Sequence, residues 1–313
     1  MHVLVYLPLL APALAALAAR PLAGWLPPAT ATWLLTGGAV VLASASTAML
    51  GLLALAAVIR LPGIAAAGGL SLEVVRRTDP APWPLGAAAG LALTVAGLAL
   101  ARAARRRGDA LVTAHREARR LAGRDQVVVL ADARADAYAT PGWPGRIVVT
   151  SGMLDALSPP ERAVLLAHEH AHASGRHYLF TAAVRVAAAA NPLLLPLSSA
   201  VSYSVERWAD EHAATVVGDR RLAARAVARA ALAAAAAPSA LRPAALPGVV
   251  SGAGIRPGAV PRRVTALLAA PPRRRLGLVV LAVALLVLCG GAALDAATDL
   301  HAFVEFAQAG LAG

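Results

Sequence analysis

Residues 33–59 run for 27 positions without a charged side chain and close at Arg60. As a helix this stretch is about 40 Å long, enough to cross roughly 30 Å of hydrocarbon with some tilt. Such a segment commits the chain to a bilayer. Three more apolar segments, 3–19, 84–101 and 276–294, repeat the signal. A hydrophobic share of 58% and a mean hydropathy of +0.65 fit that reading and exclude an ordinary soluble domain. A cleavable signal peptide competes for residues 3–19, but the positively charged start of such peptides is missing, which favours an anchor.

The formal net charge is +12. A basic balance can mean nucleic acid. Here the arginines cluster beside apolar segments: Arg20, Arg60, then Arg102, Arg105, Arg106 and Arg107, then Arg273, Arg274 and Arg275. The positive-inside rule explains this distribution, so the expected partner is a lipid bilayer, with no direct nucleic-acid binding. Both large clusters face residues 102–275, which places that region in the cytoplasm. The expected layout is three transmembrane helices within 1–107, a cytoplasmic domain at 108–275, a fourth span at 276–294 and a short outer tail at 295–313. The outer loop is 61–83, and 21–32 is a turn-rich link. The single cysteine, Cys289, excludes an intramolecular disulfide and a cysteine-based metal site.

Inside the cytoplasmic region lies A-V-L-L-A-H-E-H-A-H-A-S, residues 163–174. It contains His168, Glu169 and His172 in the H-E-x-x-H pattern. Residues four apart share one helix face, so His168 and His172 can bind one metal ion, with Glu169 in reach of a water on that metal. The helix is expected independently of the motif. Ser158 can cap it, Pro159 suits its first position, Glu161 completes a capping box, and Gly175 is a plausible stop. Upstream, a basic helix-like stretch at 109–123 precedes strand candidates Gln126–Leu130, Ala137–Thr140 and Arg146–Thr150. The last two are separated by a Pro/Gly turn at 141–145. Such a sheet can hold an extended substrate by strand addition.

Downstream, Tyr178–Ala190 and Leu193–Val201 are apolar pieces separated by Asn191-Pro192. Neither is long enough to span alone. Catalytic zinc needs a third protein ligand and an open position. Glu206 is the candidate, 34 residues after His172. Asp210, one turn on, can hydrogen-bond the far nitrogen of a ligating histidine. His170 is expected to pack or to support a ligand. His177, His212 and Tyr203 are candidates to stabilise an oxyanion. His115 and His301 lie far from the motif in sequence. Residues 221–245 read as basic helices near lipid headgroups, and 247–261 as a Gly/Pro-rich loop.

The motif H-E-H-A-H, then Asn191-Pro192, then Glu206-x-x-x-Asp210-Glu211, is similar to the membrane metallopeptidases of the BlaR/MecR antirepressor type. Residues 147–155 and 157–168 resemble the same family and its relative, the HtpX/CAAX-protease group. So does Pro261-Arg-Arg-Val-Thr-Ala-Leu-Leu268, which resembles the segment that follows the zinc site in both. The resemblance implies a cytoplasmic zinc domain whose activation leads to loss of a winged-helix DNA-binding repressor. Only about 19 residues follow 294, so the penicillin-binding sensor domain of signalling members is not expected.

The combined expectation is a mainly α, integral membrane protein. It has about four transmembrane helices and a cytoplasmic α+β zincin-like metallopeptidase domain with a small β-sheet. His168, His172 and Glu206 hold one Zn²⁺, Glu169 is the general base, and Asp210 supports a ligand. His212 or Tyr203 assists the oxyanion. The substrate is a protein or peptide, and a homo-oligomer is compatible with this reading. Three functions are open: regulatory cleavage of a repressor, quality control of membrane proteins, and a non-catalytic signalling scaffold.

Overall fold

The computed structural model describes residues 6–77, 83–120, 126–140, 146–236, 250–251 and 259–309. Among the described residues the architecture is the expected one: mainly helical, with four helices long and apolar enough to cross a membrane and a small sheet. The four are α1 (Leu7–Trp25), α2 (Pro28–Val58), α5 (Trp83–Arg120) and α12 (Leu276–Ala309). The expected Pro/Gly turn at 141–145 lies outside the described residues, as does most of the 247–261 loop.

Several boundaries differ from expectation. The link at 21–32 shrinks to Leu26 and Pro27, because α1 continues through Arg20 and Pro21. Pro28 then opens α2 at a position where a missing N–H costs nothing. Within the expected outer loop, Pro62–Ala67 and Leu72–Arg77 form short helices, α3 and α4. The third apolar segment and the basic stretch after it are one helix, α5, as far as Arg120. The expected tail after 294 is helical to Ala309. Asp295, Asp299 and Glu305 interrupt the apolar run in sequence but are exposed, while Ala296 and Ala307 are buried. Ala307 packs with Ile59, Ala65, Leu70 and Val75. Ser71 N–H donates to the Ala307 carbonyl at 3.0 Å. The α2–α5 connection therefore caps the end of α12.

Close packing joins α2 to α5 at Gly86. A Cβ there would lie 2.4 Å from Ala57 Cβ and 2.7 Å from the Leu53 carbonyl oxygen. Small residues at such contacts let membrane helices approach, where van der Waals packing rather than water drives association.

The three expected strands form at Val127–Leu130 (β1), Ala137–Ala139 (β2) and Ile147–Thr150 (β3). A two-residue strand, Val250–Ser251 (β4), falls in the expected loop and is too short to show a period. The order is β1-β3-β2-β4, with β1 parallel to β3, and β2 antiparallel to β3 and β4. Thr150 caps α6 (Ser151–Ala156), which leads to the motif helix.

That helix, α7, spans Pro159–Ser174. The Glu161 carboxylate accepts from the Ser158 N–H at 3.0 Å and the Ser158 hydroxyl at 2.7 Å. Arg229 of α10 (Arg220–Ala236) also donates to it at 2.9 Å. Burial alone would raise the Glu161 pKa, but these donors outweigh it and hold the carboxyl below its usual range. A depressed carboxylate stabilises the fold above its unfolded value, about 4.3, and that contribution is lost as pH falls through the folded value. Glu161→Gln is therefore expected to cost about 1 kcal/mol at pH 7. The gap between wild type and variant should close toward pH 3. Denaturant unfolding of detergent-solubilised protein at both pH values measures it.

After α7 come α8 (His177–Ala190), a 3-10 turn (Pro192–Leu194), α9 (Leu195–Val217) and α11 (Ala259–Leu268). The expected apolar piece Leu193–Val201 is thus the start of the helix that carries Glu206. Phe180, Val184, Val201 and Val205 share a core with Leu35, Ala39 and Leu42 of α2 and Ala23 of α1. Arg207 donates to the Ala23 carbonyl at 2.8 Å. The Arg275 guanidinium lies 5.6 Å from the Trp25 ring. The α1–α2 turn, the start of α12 and the Glu206 region therefore occupy one end of the bundle.

Candidate metal centre

The α7 register puts His168, Glu169 and His172 on the buried side, with relative exposures of 5%, 0% and 2%. His170 is exposed on the opposite face, so the packing role expected for it does not hold. The Nε2 atoms of His168 and His172 are 3.1 Å apart. From α9, Glu206 Oε1 lies 3.6 Å from His172 Nε2, and Oε2 lies 3.8 Å from His168 Nε2. One ligand atom from each of the three residues lies within 4.8 Å of the others.

The far nitrogens are occupied too. His168 Nδ1 is 3.1 Å from Asp210 Oδ1. His172 Nδ1 is 3.0 Å from His177 Nδ1. If both Nδ1 atoms carry the hydrogen, both Nε2 lone pairs face each other and Glu206. A cation relieves that repulsion. Two imidazoles, one carboxylate and an open side form a donor set that suits zinc.

His177 was a candidate for an oxyanion, but it sits behind His172, against Trp208 at a ring separation of 4.7 Å. The turn at Arg176, with φ of 48°, brings the chain back to place it there. Burial, then the nearby charges of His168 and His212, lower its pKa to about 4. It is therefore neutral at physiological pH, and with its hydrogen on Nε2 it would accept from the His172 Nδ1–H. Gly175 leaves room for its ring: a Cβ would lie 2.6 Å from His177 Nε2. His177→Ala is expected to weaken zinc binding by about 10- to 100-fold, the usual scale for losing a ligand's hydrogen-bond partner. Chelator competition measures it, with His177→Gln expected to recover part of the loss.

Sequence reading passed over Arg263, on α11. It is 5% exposed and donates to Asp210 through Nε and Nη2, both at 2.7 Å. Its Nη1 is 2.8 Å from Glu206 Oε2. Burial would raise the Asp210 pKa, but Arg263 and then His168 overcome it and hold the carboxyl far below its usual range. Arg263 so fixes both the third ligand candidate and the acid behind His168. The signal available was the 261–268 segment, which the family resemblance marked without a role.

Both carboxylate oxygens of Glu169 are buried without a hydrogen-bond partner. Burial pushes its pKa up to about 7, moderated by His168 and reinforced by Glu206. When ionised, Glu169, Glu206 and Asp210 exceed the charge of Arg263 by two, which a divalent cation balances. Beside Glu169 and His168 opens an apolar cleft lined by Ala137, Met153, Val164, Leu165 and Ala230. Tyr203 lies one turn before Glu206, with the Arg262 guanidinium 4.3 Å over its ring. His212 is exposed on α9. His301 is exposed and pairs with Glu305 on α12.

Fold and site together describe a metallopeptidase-like centre joined to a bundle of membrane-length helices. The model of peptidase family M48 matches residues 101–195, a stretch that includes His168, Glu169 and His172 and ends before Glu206. This match supports assignment to that metallopeptidase family, and with the apolar helices it fits a membrane metallopeptidase. No curated protein and no solved structure matches the chain.

Proposed function

We propose that this chain is a membrane-embedded zinc endopeptidase whose role is regulatory proteolysis of a cytoplasmic transcriptional repressor. The observation that carries the peptidase reading is the convergence of His168, His172 and Glu206 beside an unpartnered, buried Glu169. Zinc, when bound, supplies a Lewis acid and an activated water. Glu169 takes a proton from the attacking water and passes it to the leaving amine. Asp210 and His177 keep His168 and His172 in the tautomers that present Nε2. Arg263 holds Glu206 and Asp210 in place. Tyr203, one turn before Glu206, is the residue we assign to the oxyanion, and His212, exposed six residues further on, is the alternative. In this reading the domain at 108–275 faces the cytoplasm of a bacterial cell, which the flanking basic clusters support.

A second reading, quality control of membrane proteins, draws support from the packing of α9 on α1 and α2. Arg207, next to Glu206, bonds directly to the end of α1. New protein N-termini in host cells, compared between wild type and Glu169→Gln, separate the readings. A fragmented DNA-binding repressor fits the first, and fragments from many membrane proteins fit the second. No Glu169-dependent fragment at all leaves only the non-catalytic scaffold.

A further inference from the structure

Residues 186–205 contain no charged side chain, a run of twenty between Arg185 and Glu206. A run of that length would suit a membrane span, but Asn191-Pro192 folds it in half. The two halves are the end of α8 and the start of α9, and their corner lies deep along the bundle. The Asn191 side-chain amide donates to Ser46 Oγ at 3.0 Å. Ser46 is eighteen residues into α2, about 27 Å from its start. One and two turns further along α2, Met49 and Leu53 meet Leu9 of α1, Ala89 of α5 and Ala296 of α12 in a shared apolar cluster. The corner thus lies within the uncharged stretch of α2, short of a cluster to which all four long helices contribute apolar side chains.

The outward surface of the corner is apolar as well. Leu193 is 50% exposed and Leu195 59%, and Pro192 and Pro196 are exposed beside them. Leu194 and Leu197, facing inward, are buried against the bundle. Val40 and Val41 of α2 are likewise exposed apolar side chains. The backbone meets the demand of an apolar solvent: the Asn191 side chain accepts from the Leu193 N–H at 3.1 Å, and the Leu194 N–H donates to the Asn191 carbonyl at 3.0 Å.

We infer that α8 and the first half of α9 form a re-entrant hairpin. It enters the bilayer from the side that carries the metal centre and buries its corner, Pro192 to Pro196, among lipid acyl chains. Glu206 lies eleven residues after Leu195 on the same unbroken helix, about 17 Å along its axis. The third ligand candidate is therefore tied to the hydrocarbon by one rigid rod, and the centre sits at the bilayer surface. The inference needs the membrane assignment but not the catalytic one.

Nitroxide labels test it in full-length protein in lipid nanodiscs, with Cys289→Ala as background. The labelled variants are Leu193→Cys and Leu195→Cys at the corner, Leu14→Cys on α1 as lipid reference, and Leu232→Cys on α10 as water reference. Power-saturation spectra with dissolved oxygen and with a water-soluble nickel chelate report the surroundings. The inference expects both corner labels to match position 14: relaxed by oxygen and shielded from nickel. Corner labels that match position 232 while position 14 stays shielded would overturn the hairpin alone. Nickel access at position 14 would overturn the membrane assignment along with it.

Discussion

Glu169→Gln keeps the metal and loses cleavage. The side chain is fully buried, and neither oxygen has a protein partner. A carboxylate left this way is costly to the fold, because burial without hydrogen bonds disfavours the charged form. Replacing it with the isosteric amide removes that cost, so the variant should unfold no earlier than wild type. Its metal content should be unchanged, because His168, His172 and Glu206 remain. Turnover should fall by at least about 10²- to 10⁴-fold, the usual contribution of a positioned general base. Stability kept or gained while activity disappears is the pattern of a strained functional group. A structural role for Glu169 predicts the reverse, a lower melting temperature with residual cleavage. Peptide hydrolysis, thermal unfolding and metal content on one preparation distinguish the two.

Arg263→Met should be the most destabilising single change in the centre. Asp210 would stay buried and Glu206 half-buried, and both would lose their shared cation. Breaking a buried pair by removing one partner costs about 3–5 kcal/mol. Arg263→Lys should recover little, because the guanidinium serves Asp210 through two nitrogens and Glu206 through the third. The loss should be largest in metal-free protein and partly offset by added zinc, which stabilises only the folded form. Thermal unfolding with and without zinc measures this. An unchanged melting temperature in metal-free Arg263→Met protein would contradict the placement of Arg263.

The parts of the centre that sequence disclosed are those set by local rules. Ser158, Pro159 and Glu161 announce the start of α7, and the four-residue spacing puts His168 and His172 on one face. Asp210 follows from the same spacing rule on α9 once Glu206 is taken as the third ligand candidate. What stayed hidden depends on chain reversals and long-range contacts. Arg263 is 53 positions from Asp210 and one of 29 basic residues, so nothing local distinguishes it. The place of His177 depends on the left-handed turn at Arg176, which no periodicity reveals. The same holds for the membrane part. Hydropathy located all four long helices, but charged residues on an exposed face concealed the last fifteen residues of α12. The Asn191-Pro192 break likewise divided one twenty-residue uncharged run into two short pieces.

The most direct test of the central claim is zinc per chain in detergent-purified protein, measured side by side for wild type and Glu206→Ala. Wild type should hold about one zinc, and Glu206→Ala should hold less and release it more readily to a chelator. Wild-type protein that stays free of zinc after reloading, or a Glu206→Ala variant that binds zinc as tightly as wild type, would contradict the centre described above.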